Sequence, residues 1–412
     1  MVYQSIKRLA PNSRRTFFLE SIRAIAVGTI DTAGNTFFLL YMVKVLLSGE
    51  ISKSLVVAGG SIGFLIAPLV VQISAGFVIS SHKFASLLFL LSSISCALVP
   101  NLEGEYAVLF LCLTSVFWNA SVPFLTQIYS ENYPSDLRGK LFSLTVIFRI
   151  VSAAVFAYLW GDWLEADLSN FSSLFKFYSL MLLVSAVLLF KIPSSNTRVV
   201  RSNALVEGLN ALKMDKVFRV TIISWMFLGF GNLLLYPLRV EFLANPEFGK
   251  TYGPADVAFL VSVVPNLTRL VFVLIWGFLF DRIDFFTMRI LVNIGFMLGT
   301  ISFFLSSSWA MLVFAGCLYG VSIAGGDVAW NLWVTKFAPE GQSRPYMSVH
   351  TFFTGFRGVI APITAFSLVY DIGFRGIVFL SLFLMVVGTL ILSGESQLFK
   401  NGFKLRKRKK NI

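Results

Sequence analysis

Five charged residues set the question of what this chain does. Asp31, Arg149, Arg269, Asp327 and Arg357 each lie deep inside an apolar run. If the runs are membrane-crossing helices, ~1.5 Å of rise per residue puts a position ~10 residues from a helix end near the middle of a ~30 Å hydrocarbon core. A charge facing lipid there costs at least ~2.5–3.5 kcal/mol, so each must face protein or a wet space. Two chemistries suit such residues. In the first they pair within each half of the chain, Asp31 with Arg149 and Asp327 with Arg357, because half a pair alone would be costly. In the second the arginines surround an anionic solute group, since a planar guanidinium can hold both oxygens of a carboxylate or phosphate, while an aspartate takes a proton. The two readings are compatible, because a salt bridge can exchange partners. Arg23, Lys44 and Arg239 lie nearer the ends of their runs, where long side chains snorkel to the interface.

Around these charges stand further candidates. His350 precedes Arg357 by two helical turns, on about the same face, and an imidazole can shuttle a proton or simply satisfy an interface. Asn35 follows Asp31 by about one turn, and Trp118-Asn119 and Trp330-Asn331 each join an aromatic to an amide, a combination that can line a solute cavity or pack a helix interface. With two histidines in the chain no metal cluster of the usual spacing forms, and no phosphate-cradling G-x-x-x-x-G-K-[ST] loop points to ATP. No metal, cofactor or enzymatic nucleophile is expected. Cys96, Cys112 and Cys317 fall inside apolar runs and read as inert buried thiols.

The elements that must carry these residues follow from composition. Of 412 residues 56% are hydrophobic and only 13% charged, about half the share a water-facing domain needs. The expected fold is therefore all-α and polytopic, with about 12 transmembrane helices. Runs of spanning length occur at 17–47, 54–80, 84–100, 106–130, 140–161 and 171–191, then at 218–244, 255–280, 286–307, 309–336, 345–370 and 374–393. The expected organisation is an N-terminal six-helix bundle over 1–191, a cytoplasmic linker over 192–217, a second bundle over 218–393 and a basic tail over 394–412. Leu205, Leu209 and Leu212 recur at helical spacing in the linker, which predicts a short helix on the inner membrane face.

The net charge of +13 is not a nucleic-acid footprint, because the basic residues between runs decorate one face. Counted loop by loop, 24 lie on the side of the N-terminus, Arg282 and Arg289 among them, and only Lys53, Lys250 and Arg375 on the other. Cytoplasmic loops carry that excess, so both termini are placed inside, with the chain in the plasma (inner) membrane. The basic tail from Lys404 to Lys410 faces lipid headgroups or water there.

The two halves echo each other. Gly34-Asn35 with Leu39-Leu40-Tyr41 matches Gly231-Asn232 with Leu234-Leu235-Tyr236, and Trp118-Asn119 matches Trp330-Asn331. Pro134 to Arg138 matches Pro339 to Arg344, and Phe148-Arg149 matches Phe356-Arg357. Four echoes in one order indicate a duplicated six-span unit. The stretch Gly277-Phe-Leu-Phe-Asp281-Arg282, with Arg289 behind it, resembles the G-x-x-x-D-R loop of the major facilitator superfamily, and Arg138-Gly139-Lys140 resembles that family's loop after span four. Ser80 stands where the first-half copy of the loop expects an acid.

The resemblance implies two pseudo-symmetric six-helix bundles that rock about a central cavity, with Asp281, Arg282, Arg138 and Arg344 at a cytoplasmic gate. It also implies secondary transport of a small polar or anionic solute, with protons as a candidate coupling ion and a monomer as the working unit. Within it Asp31, Asn35, Arg149, Arg269, Asp327, Arg357 and His350 are the solute- or proton-coupling candidates, and Trp118, Asn119, Trp330 and Asn331 the cavity-lining ones. The alternative is a membrane sensor or scaffold that keeps the fold without transporting.

Overall fold

A computed structural model describes residues 9–32, 36–76, 79–134, 137–193, 204–248, 250–306, 308–333, 338–339 and 343–396. Within them all regular structure is helical. A chain in lipid must satisfy its backbone internally, and a helix does so within one segment. Ten helices are each long and apolar enough to cross a bilayer. Two further spans complete the predicted set of twelve. The stretch Ser343–Ser393 is broken at Gly373, whose φ of 66° is a left-handed conformation that side-chain-bearing residues avoid, and so counts twice. The N-terminal segment, Pro11–Thr32 with Phe38–Lys44, overlaps the expected run 17–47 and carries Arg14, Arg15, Glu20, Arg23 and Asp31.

Spans one to six are this N-terminal segment, Glu50–Gly76, Ser81–Leu98, Gly104–Asn132, Arg138–Ala166 and Phe171–Phe190. Spans seven to ten are Lys216–Ala244, Pro254–Arg282 (Pro254–Ala258, a π-helical turn Phe259–Val263, then Val264–Arg282), Phe285–Phe304 and Trp309–Leu332; Gly373 separates spans eleven and twelve. The ends are set by local chemistry. Asp215, Asp284 and Ser308 accept hydrogen bonds from the first backbone N–H groups of spans seven, nine and ten. The π-helical turn in span eight lies just before Pro265, whose ring cannot continue the ordinary bonding.

The helices cluster into two units, one comprising Met1–Ser202 and Leu243–Val263, the other Asn203–Phe242 and Val264–Ile412. In the first, span one packs on spans five and six, span two on span four, and span three on span six. In the second the same scheme recurs: span seven packs on the last two spans, span eight on ten, and span nine on the last helix. Lipid offers no hydrophobic drive between helices, so close backbone approach and serine hydrogen bonds supply the contact. A Cβ on Gly63 would lie 2.6 Å from the Val116 carbonyl across spans two and four, and one on Gly320 would lie 2.5 Å from the Pro265 carbonyl across spans ten and eight. Ser152 Oγ donates to the Ile25 carbonyl at 2.7 Å in the first unit, as Ser224 Oγ donates to that of Gly388 at 2.7 Å in the second.

In the first unit Pro254–Ala258 packs on span five, where the Glu165 carboxylate accepts from the Ala255 N–H at 3.1 Å. In the second unit the linker forms the predicted helix, Ala204–Met214, but one side of it is occupied by protein. Gly208 sits so close to the start of span eleven that a Cβ would lie 2.2 Å from the Pro345 carbonyl and 2.6 Å from Val349.

Candidate functional site

In the first unit the expected pair forms. Arg149 on span five grips Asp31 on span one with the Nε–Nη2 edge of its guanidinium, Nη2 lying 2.8 Å from Oδ1 and Nε on Oδ2. This two-pronged geometry is the strong form of an ion pair. The pair is not sealed: the Arg149 side chain is 42% exposed and that of Asp31 16%.

Toward the N-terminal end of span one a second network is sealed. Arg23 donates through Nε and Nη2 to Glu20 at 2.8 and 2.7 Å and to the Tyr129 hydroxyl at 2.8 Å, and Tyr129 in turn donates to Glu20 at 2.8 Å. Glu20 and Arg23 are both buried. Arg23 therefore does not snorkel; its position near a span end gave its depth but not its partner, which lies one turn back on the same helix. Trp118 and Asn119 are half-buried on span four, and Asn119 Nδ2 donates along its own helix to the Ser115 carbonyl at 2.9 Å, beside Gly60 and Gly63. Arg138 donates to the Ser130 and Tyr133 carbonyls at 2.9 and 3.3 Å, closing the C-terminal end of span four, where a cation also suits the helix dipole.

The second unit departs from expectation. Asp327 pairs with Arg269 of span eight, Nε to Oδ2 at 2.7 Å, and not with Arg357. Depth was readable in the sequence, but the direction in which each residue leaves its helix was not. This pair is also open, with Arg269 19% and Asp327 36% exposed. Arg357 instead lies along span seven, where Nη1 donates to the Trp225 carbonyl and the guanidinium occupies the space above Gly229.

Trp225 is the hub of what surrounds Arg357. Its ring faces the Arg289 guanidinium at 5.4 Å and the His350 imidazole at 4.3 Å. His350 Nδ1 accepts from Trp333 Nε1 at 3.0 Å, which assigns the remaining imidazole proton to Nε2. Trp330 lies against the same imidazole at 5.4 Å. The loop charge expected at Arg289 thus turns into the bundle, and no sequence motif marks it as part of this group. What could have found it is its place more than one turn beyond the capping residue Asp284.

Arg239 is also corrected. It is buried, not snorkelling, between the rings of Tyr236 and Tyr319 at 4.1 and 4.5 Å. Arg282 is exposed and stacks on Phe278 at 3.7 Å. Asn35 and the side chains of Asp281, Asn331 and Arg344 lie outside the described residues. Among the described residues no cluster of three potential metal ligands occurs.

Neither a family model nor a curated protein matches the sequence. Solved structures do match its fold. The nucleoside transporter NupG superposes with a TM-score of 0.71 at 14% identity, over 93% of this chain and 99% of that one. The inward open xylose transporter XylE from E. coli gives 0.68 at 14% identity, over 91% and 94%. A D-xylose-proton symporter gives 0.64 at 16% identity, over 92% and 95%. The chain has the fold of these transporters. The pairing of spans one with five and two with four recurs as seven with eleven and eight with ten. It sets Arg149 and Arg357 at corresponding places, each beside the first span of its own unit.

Proposed function

We propose that this protein is a secondary transporter that moves a small polar or anionic solute across the inner membrane by alternating access. The observation that carries this reading is the open ion pairs at membrane depth. Asp31–Arg149 and Arg269–Asp327 each keep a side chain more than a third exposed, in helices whose surroundings are otherwise lipid or packed protein. Charge that is neither sealed nor free to face hydrocarbon belongs on a watered path. A scaffold has no need of such a path. The fold shared with the nucleoside transporter NupG and with xylose transporters supports the reading.

In this reading Asp31 and Asp327 are the groups able to exchange a proton for their arginine, which would couple transport to protons. Trp118, Asn119, Trp330, Asn331 and Asn35 line the solute route. Asp281, Arg282, Arg138 and Arg344 form the cytoplasmic gate between bundles 1–191 and 218–393, with the linker and both termini inside and the monomer as the working unit. No catalysis is assigned.

The test is uptake by the purified protein in vesicles, against a panel of sugars, nucleosides and organic anions, with and without an inward proton gradient. Uptake of at least one solute above protein-free vesicles is expected. No uptake of any solute, by protein that is folded and correctly inserted, would reject the reading.

A further inference from the structure

Arg149 and Arg357 occupy matching places in the two repeats, yet they spend their hydrogen-bond donors differently. Arg149 places its Nε–Nη2 edge on a carboxylate. Arg357 uses only Nη1, on a backbone carbonyl, and its Nε is buried without an acceptor. The same deficit recurs around it. Arg289 Nε, His350 Nε2 and Trp225 Nε1 are likewise buried and without a hydrogen-bond partner. All three residues touch the Trp225 hub or belong to it. Four N–H donors without acceptors therefore belong to residues gathered around one tryptophan, and among the described residues no carboxylate pairs with either arginine.

Unmet buried donors are costly, and two guanidinium groups without a counter-ion at this depth are more so. A group supplying several acceptor oxygens and negative charge would correct both faults at once. A hydroxyl would not, since it brings no charge. A metal ion or an organic cation would worsen them.

We propose that Arg289, Arg357, His350 and Trp225 form a binding site for the oxyanion of a small solute, a carboxylate or a phosphate, which takes the place that Asp31 holds in the other repeat. The site rests on the transport reading only for its purpose; binding itself is independent of it. The Arg357 guanidinium, whose Nε has no acceptor, suits an oxygen of such a group, and its planar fork can reach two. Arg289 adds a second charge from span nine, and His350 donates through Nε2 because Trp333 holds Nδ1 as an acceptor. Trp330 and Trp333 wall the imidazole on other sides, which keeps the local dielectric low and strengthens each contact.

The experiment uses the full chain in detergent, titrated with sodium benzoate, inorganic phosphate and uncharged benzamide. Binding is followed by tryptophan fluorescence and by the melting temperature. Saturable binding of benzoate or phosphate, but not of benzamide, is expected, and which oxyanion binds separates the two chemistries. Arg289→Gln and Arg357→Lys should each weaken that binding roughly ten- to hundredfold, the loss of one charge-assisted hydrogen bond or more. Exposed Lys191→Gln should leave it unchanged. If Arg357→Lys does not fold, Arg289→Gln alone decides. The proposal is overturned if neither oxyanion binds, if benzamide binds equally, or if Lys191→Gln weakens binding as much as Arg289→Gln does. Uptake of the bound probe into vesicles, measured in parallel, separates the two readings. Binding without any solute uptake overturns transport and keeps the site; uptake indifferent to Arg289 and Arg357 overturns the site and keeps transport.

Discussion

The two repeats start from the same pair of residues, Phe148-Arg149 and Phe356-Arg357, and reach opposite electrostatic ends. In the first, the arginine meets an acid on the neighbouring helix and is neutralised within the protein. In the second, the matching helix offers none. Aligning Gly34-Asn35 with Gly231-Asn232 sets Leu228 at the place of Asp31. Arg357 then falls back on a carbonyl of span seven and on the space that Gly229 leaves. Duplication conserves where a charge sits more readily than what neutralises it. A repeat that has lost its internal counter-ion is the one with charge left for something else.

This contrast can be broken by mutation. The largest effect is expected at the sealed network of the first unit. Glu20→Ala strands buried Arg23 and should destabilise the protein by about 3–5 kcal/mol, read as thermal unfolding in detergent. Glu20→Ala combined with Arg23→Leu should recover most of that loss; no recovery would mean the pair is not the unit of stability. Arg149→Ala comes next. Its pair is partly exposed, so water softens the penalty to about 1–3 kcal/mol. Adding Asp31→Ala should restore stability, and whether uptake returns with it decides if Arg149 also touches solute.

Arg357→Ala should behave differently from its counterpart. It removes one hydrogen bond and one unneutralised charge, so stability should stay within about 1 kcal/mol of the parent. A loss as large as that of Arg149→Ala would reveal a counter-ion and erase the asymmetry. The most local effect is expected at the linker. Gly208→Ala must push the helix off the Pro345 backbone carbonyl, so it should lower the melting temperature while leaving the effect of Arg149 variants unchanged.

Much of this was legible in the sequence for reasons that also explain the gaps. Span positions follow from runs of apolar residues, which the bilayer demands whatever the packing; the break after span two, expected at 81–83, falls a few residues earlier, between Gly76 and Ser81, because the polar stretch there is too short to fix it. Asp31–Arg149 was legible because each was a lone charge at depth in its own helix of one repeat. Asp327 had two arginines at comparable depth, Arg269 and Arg357, and choosing between them needs the direction of each side chain around its helix, which spacing alone does not give. Arg239 and Arg289 were hidden by place: the first sits near the end of the run 218–244, where a snorkelling and a buried side chain read alike, and the second lies beside a basic loop.

The glycine that seats the linker against span eleven has a mechanical meaning. Val349, which flanks Gly208, is the residue before His350, so the linker helix rests on the rung of span eleven that carries the imidazole. A shift of that rung cannot leave the linker where it is unless the Gly208–Pro345 contact opens. The linker is thus geared to the helix bearing His350 and Arg357, and a label placed on it would report what those two residues do.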